Sequence, residues 1–256
     1  MSLFRIKLFI KSFRFALSQL SNPVSYWKGI WTDQVGIVKF KNGLELGYDS
    51  AGSLGLLYAI TGQHIYGNDI ADKVIVDVGA NRGYFTSWAA QNGAKKILAF
   101  EPVKATYLQL KSNVQRQHKM VDISLHNNAV ASLAQSDIKI YYNEELEDYS
   151  LHFADDTSKF ELVDAVSLLE IVKRVGEDID ILKLNCEGAE YDILLNSPDE
   201  IFESINSIRL EYHNFESNGN SYHVSSLHDR LVELNYNTKK VTVVGGTHGI
   251  VLYSKG

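Results

Sequence analysis

The sequence holds a single cysteine, Cys186, among 256 residues. An intrachain disulfide is therefore excluded, and no zinc cluster can be built from thiolates. No uninterrupted apolar run approaches the roughly 20 residues that a membrane-spanning helix needs. Internal repeats and low-complexity stretches are missing too. So is an excess of positive charge: the formal net charge is −6, which gives no general pull toward nucleic acid. What remains has ordinary globular composition, 45% hydrophobic and 22% charged, long enough for one large α/β domain with additions. A cytoplasmic setting is the plain expectation.

One more absence is local. No acidic residue precedes Asp33, while Arg5, Lys7, Lys11 and Arg14 are basic. Ile6, Ile10, Phe13, Leu17 and Leu20 recur at helical spacing, and Lys7, Lys11, Arg14 and Ser18 follow another face. This predicts a basic amphipathic helix. Charges interrupt its apolar part and no small-residue cleavage site stands out, so it does not read as a signal peptide. Residues 3–20 are expected to pack on their own domain, to make a dimer contact, or to touch the inner face of an anionic membrane peripherally.

Asn22-Pro23 ends that helix. Asn42-Gly43, flanked by apolar runs, predicts a hairpin. Ser53 is placed to cap an apolar helix over 54–60, closed by Gly62. Residues 1–72 read as an accessory region whose apolar content needs the main sheet to pack against. Residues 73–256 read as the principal domain.

From Val74 onward, strands alternate with helices. Strands are predicted at 74–78, 96–100, 121–126, 138–142, 161–166, 179–184 and 205–212, with a closing hairpin over 239–253. Alternation of this kind means a mostly parallel sheet with helices on both faces. In such sheets a ligand binds in the crevice beyond the carboxyl ends of the strands. The first strand, Val74-Ile-Val-Asp-Val78, runs into the loop Gly79-Ala-Asn81-Arg-Gly83-Tyr84.

That loop narrows the ligand. A dinucleotide fingerprint wants glycine at 81 and 84, and Asn81 and Tyr84 break it. No Walker Gly-Lys-Ser/Thr follows. Glu101 closes the second strand about 20 positions beyond the loop, where an acid accepts hydrogen bonds from ribose hydroxyls. Asn127-Asn128 follows the third strand, where Asn128 is offered to a purine edge. With Asp77 and Gly79 beside a cationic tail, the set suits an adenosine without a diphosphate. S-adenosylmethionine has those parts.

These residues resemble the class I S-adenosylmethionine-dependent methyltransferases and, within them, the FkbM family. The resemblance rests on Val76-Asp-Val-Gly-Ala-Asn-Arg-Gly83, Phe100-Glu-Pro102, Asn128-Ala-Val130, Leu210-Glu-Tyr-His213 and above all Leu182-Lys-Leu-Asn-Cys-Glu-Gly-Ala-Glu190. It covers about residues 72–253. It implies a Rossmann-like, seven-stranded sheet of order 3-2-1-4-5-7-6, the seventh strand antiparallel. It also implies O-methylation of a small-molecule hydroxyl, on a sugar, a glycan or a natural-product intermediate. The chain departs from the family at Asn185, where an acid is usual. Aspartate is the better ligand for a hard cation, so no metal is expected.

The residues expected at the cofactor are Asp77, Gly79, Asn81, Gly83, Glu101, Asn128 and Asn185. Methyl transfer to oxygen needs a positioned acceptor and a group to take its proton. His213 has the most suitable unperturbed pKa and is expected as the base, with Glu187 next. Glu190 and Glu211 are expected on the substrate side, although Glu190 sits inside a helix where it can cap or pair. Lys183 reads as a structural partner for a buried carboxylate. Specificity should lie in 143–159, in 214–224 and in the N-terminal region. Two other readings stand beside this one: a nicotinamide-dependent oxidoreductase, against which Asn81 and Tyr84 argue, and a non-catalytic subunit that keeps the fold.

Overall fold

Val74–Val78 (β1) is buried at every position. Its neighbours on either side, Lys96–Phe100 (β2) and Ile181–Leu184 (β4), pair with it in parallel. A strand covered on both faces reads as a continuous apolar run, which is what Val74-Ile-Val supplies. The computed structural model describes residues 2–117, 121–143, 148–150, 159–217, 219–244 and 247–256. Most of the loop expected over 143–159, and Gly245 and Gly246 of the last turn, lie outside the described residues.

The sheet is completed by Asp122–His126 (β3), Ser207–His213 (β5), Tyr236–Val244 (β6) and His248–Lys255 (β7). Its seven strands run β6-β7-β5-β4-β1-β2-β3. Only β7 runs against its neighbours, pairing antiparallel with both β5 and β6. This is the 3-2-1-4-5-7-6 order the family resemblance implies.

The helices are Leu3–Gln19 (α1), Pro23–Thr32 (α2), Ala51–Thr61 (α3), Tyr84–Gln91 (α4), Lys104–Gln115 (α5), Leu168–Val175 (α6), Ala189–Asn196 (α7) and Val224–Glu233 (α8). Strand alternation sorts them onto two faces. Val74, Val76, Val78, Leu182 and Leu184 join the core made with α6, α7 and α8. Ile75, Ile97 and Ile181 face α4 and the apolar side chains of residues 8–70. The N-terminal region thus shares its core with the sheet.

Two local readings are corrected. The cap of α3 is Ser50, not Ser53. The Ser50 hydroxyl accepts from Ser53 N and the Ser53 side chain accepts from Ser50 N, a reciprocal box that starts the helix earlier. On α1 the buried side chains are Leu8, Ser12, Phe15 and Ala16. Of the expected stripe, Ile10, Phe13 and Leu17 point outward, Ile6 is half-buried and Leu20 is buried. Ser12 hides in the interior by donating to the Leu8 carbonyl at 2.7 Å, so a polar residue marks the inward face.

A second sheet of four strands combines Ala129–Ala131, Lys159–Ser167, Gln135–Asn143 and Asp148–Ser150. The first pair is parallel and the others antiparallel. This sheet stands beside the ends of β2 and β3 and forms one wall of the site.

Candidate active site

The carboxyl ends of β1, β2 and β4 open onto a cleft, at the place where open α/β sheets bind their ligands. Its apolar walls are Val78, Phe100, Pro102, Val103, Val130 and Ile140. Its polar groups come from Gly79, Asn81, Glu101, Asn128, Asn185 and Glu187. Ile140 belongs to the second sheet, and only the tertiary fold brings it to the cleft.

Gly79 sits where two strand ends meet. Its φ is +70°, and a Cβ there would come within 1.7 Å of the Asn185 carbonyl oxygen. The close approach of the two loops allows no side chain. Asn81 is left-handed as well, at φ +49°, a conformation asparagine tolerates. The bend turns its N–H onto Glu101 Oε2 at 2.9 Å. Glu101 Oε1 accepts from Val103 N at 3.0 Å. Burial is the largest influence on this carboxyl and pushes it up to about 7, against the two amide N–H bonds and the Lys183 charge. Asn128 also lines the cleft, its Nδ2 donating to the Asp164 carbonyl at 3.3 Å. The neighbouring Asn127 ties the second loop by donating to the carbonyls of Glu101 and Pro102.

Two residues expected at the cofactor lie behind the loop. Asp77 is fully buried, with Oδ2 accepting from Thr86 Oγ1 at 2.6 Å and Oδ1 lying 3.0 Å from Lys183 Nζ. It faces α4 and not the cleft, so the expected contact with a cationic tail is not its position. Gly83 caps α4 at φ +76°, and a Cβ there would meet Leu110 at 2.5 Å. Its place is helix packing. Tyr84, where a dinucleotide loop wants glycine, is buried and donates to the Gly47 carbonyl at 2.9 Å. The accessory hairpin therefore holds the glycine loop from outside, helped by Arg82 on Asp49 at 3.1 Å.

Glu187 opens the opposite wall. It carries a left-handed φ of +50° just before Gly188 at +101°. That conformation is costly for glutamate and gathers at functional sites. Its Oε2 lies 3.2 Å from His213 Nε2, and His213 Nδ1 lies 2.9 Å from Glu190 Oε1. Burial alone would lower the His213 pKa. The Glu190 hydrogen bond and the charges of Glu187, Glu190 and Glu211 outweigh it and raise the pKa to about 9. At neutral pH the ring is an imidazolium clamped between two carboxylates, which does not suit the neutral base expected for it. Glu190 is fully buried and accepts from Gly188 N at 2.9 Å. It orients His213 and caps α7, and it does not line the cleft.

Glu211 is reached by a residue that sequence patterns gave no reason to single out. The buried Tyr66 hydroxyl donates to Glu211 Oε2 and accepts from Asn185 Nδ2 at 3.3 Å. Asn185 Oδ1 is buried without a hydrogen-bond partner among the described residues, on a residue that lines the cleft. Below it, Asp77, Lys183 and Arg209 stand in one register across β1, β4 and β5. Arg209 donates to the Tyr66 carbonyl and to Asp69 Oδ1, the latter at 2.6 Å. Charged residues in mid-strand signal that something must cover them, but not which segment does. Among the described residues, no group of three or more His, Cys, Asp or Glu side chains could hold a metal ion.

A seven-stranded sheet of this order, with a glycine loop, an acid after the second strand and a polar fourth-strand end, defines a class I methyltransferase fold. Its likeness to a solved structure described as a putative S-adenosylmethionine-dependent methyltransferase of Streptococcus mutans has a TM-score of 0.51 at 10% identity, covering 86% of this chain and 55% of that one. The chain belongs to the FkbM methyltransferase family: the family's Methyltransferase FkbM domain matches residues 77–238. It is 26% identical over 161 residues to Methyltransferase 1 of Beauveria bassiana, covering 55% of this chain and 64% of that protein. It is 24% identical over 196 residues to the AMB antimetabolite synthetase AmbE of Pseudomonas aeruginosa, covering 62% of this chain and 9% of that much longer protein. The chain thus has a methyltransferase family's domain and a class I methyltransferase's fold, and it spans less than two thirds of the length of these two relatives.

Proposed function

We propose that this methyltransferase uses S-adenosylmethionine to methylate a hydroxyl of a small molecule, a sugar, a glycan or a natural-product intermediate. The cleft's residues fit the cofactor. The apolar slot between Phe100, Val103, Val130 and Ile140 suits a flat base, with Asn128 at its edge. Glu101 keeps lone pairs beyond those its two N–H bonds use, and these suit ribose hydroxyls. The buried Asn185 Oδ1, without a partner among the described residues, suits the ammonium of the amino-acid end. When bound, the cofactor supplies an electrophilic methyl on a sulfonium.

The observation that carries the reading is Glu187 on the cleft wall, held by His213. The carboxylate accepts the proton of the acceptor hydroxyl as oxygen attacks. The His213 imidazolium, fixed by Glu190, orients that carboxylate and is a positioning residue. A relative named as an antimetabolite synthetase supports an acceptor among small natural products.

The test has two arms. Calorimetry with S-adenosylhomocysteine should show binding that Glu101→Ala removes. Labelled-methyl transfer into glycan and small-molecule extracts should give an alkali-stable methyl ether, lost in Glu187→Gln with cofactor binding kept. Product methylated on nitrogen or carbon, or full activity of Glu187→Gln, defeats the proposal.

A further inference from the structure

The outward face of α1 is built unlike the rest of the surface. Leu3, Ile10 and Leu17 follow one another at seven-residue spacing and so lie along one stripe. Ile10 is 67% exposed and Leu17 49%. Phe13 lies beside them and stacks on Trp27 of α2 at 5.1 Å, while Phe9 meets Trp31 at 5.9 Å. The next stripe round the helix holds Lys7, Lys11 and Arg14. The opposite face is already used for the core through Leu8, Phe15 and Ala16. The apolar stripe is therefore surplus to folding, and a contiguous exposed patch of this kind marks an interaction surface.

Charge identifies the occupant. Residues 1–32 carry five basic residues and no acid, while the chain as a whole is −6. Two copies meeting through this face would bring lysines against lysines, at a cost that increases at low salt. A narrow apolar stripe edged by cations, with aromatic rings beside it, matches a helix lying in the interface of an anionic bilayer. We infer that α1 and α2 form a docking surface for an anionic lipid membrane, with Leu3, Ile10, Phe13 and Leu17 entering the acyl boundary and Lys7, Lys11 and Arg14 on the headgroups. No described helix is long and apolar enough to cross a membrane, so contact of this kind is peripheral. The inference does not depend on which methyl acceptor is used.

Flotation of the full chain with vesicles tests it. Phosphatidylcholine vesicles containing phosphatidylglycerol should carry the protein, and phosphatidylcholine alone should not. Binding should fall with salt, and Trp27 and Trp31 emission should shift to the blue on the anionic vesicles only. Two variants change exposed positions: Ile10→Glu with Leu17→Glu, and Lys7→Glu with Lys11→Glu and Arg14→Glu. Each should lower partitioning by about tenfold or more with the wild-type melting curve kept. The inference is overturned if folded wild type ignores anionic vesicles. It is equally overturned if neither variant changes binding, or if sedimentation shows a dimer that the Ile10→Glu, Leu17→Glu variant splits.

Discussion

Lys183 Nζ lies 3.0 Å from Asp77 Oδ1, directly across the β4–β1 register, with side chains only 4% and 0% exposed. The same ammonium donates to the carbonyl of Gly79 at 2.7 Å. A buried pair thus fixes the first residue of the glycine loop to the strand that leads into Asn185 and Glu187. Removing one partner of such a pair strands the other charge in a low-dielectric interior.

Lys183→Met should therefore cost about 3–5 kcal/mol of stability, read from urea unfolding midpoints. Asp77→Asn in the same chain should recover most of that loss, because no uncompensated carboxylate remains. Equal instability of the single and double variants would mean that Lys183 acts by another route.

Gly79→Ala should unfold the loop or the protein. The added Cβ meets backbone, the Asn185 carbonyl oxygen at 1.7 Å, and φ is +70°. The strained conformation alone costs on the order of 1–3 kcal/mol, and the β1 and β4 loops must also part. A melting temperature within a degree or so of wild type would contradict the packing described.

Glu101 titrates upward, to about 7 from an ordinary 4.5, because burial outweighs its two amide bonds. A carboxyl whose folded pKa is raised contributes stability that is complete below about 4.5 and lost as the pH rises through about 7. Glu101→Gln should therefore gain on wild type between pH 5 and pH 8, by at most on the order of 3 kcal/mol. The ionised form is the better acceptor for ribose hydroxyls, so affinity for S-adenosylhomocysteine should rise with pH through about 7 in wild type and stay flat in Glu101→Gln.

His213 is also raised, to about 9, by Glu190 and the surrounding carboxylates acting against burial. Its contribution to stability is complete below about 6.5 and disappears as the pH rises through about 9. Proton NMR of the imidazole should show that midpoint, and Glu190→Gln should lower it. If Glu187 takes the acceptor proton, methyl transfer should be level between pH 7 and pH 8.5. A tenfold rise per unit over that interval would return the role of base to neutral His213.

The sequence by itself determined the strands of the main sheet and their ligand-binding ends, while the order of the sheet was legible only through the resemblance to the FkbM family. Apolar runs such as Val74-Ile-Val, punctuated by Gly79 and Glu101-Pro102, are local signals, and they set strands and loops without reference to distant residues. Gly79, Asn81, Glu101, Asn128, Asn185 and Glu187 line the cleft and were legible as candidates for that reason, since each comes within three residues of a strand's end. Which way a side chain faces was not legible wherever neighbours decide it. Asp77 alternates with Val76 and Val78 and so turns toward Thr86 and Lys183, away from the cleft. On α1 the polar Ser12 is buried and Ile10 is not, because residues 20–70, α2 among them, cover one side only. His213 carries an ordinary pKa in any unfolded chain. Only the tertiary structure sets three carboxylates from two separate segments around it, raising its pKa and joining the end of the fifth strand to the loop after the fourth.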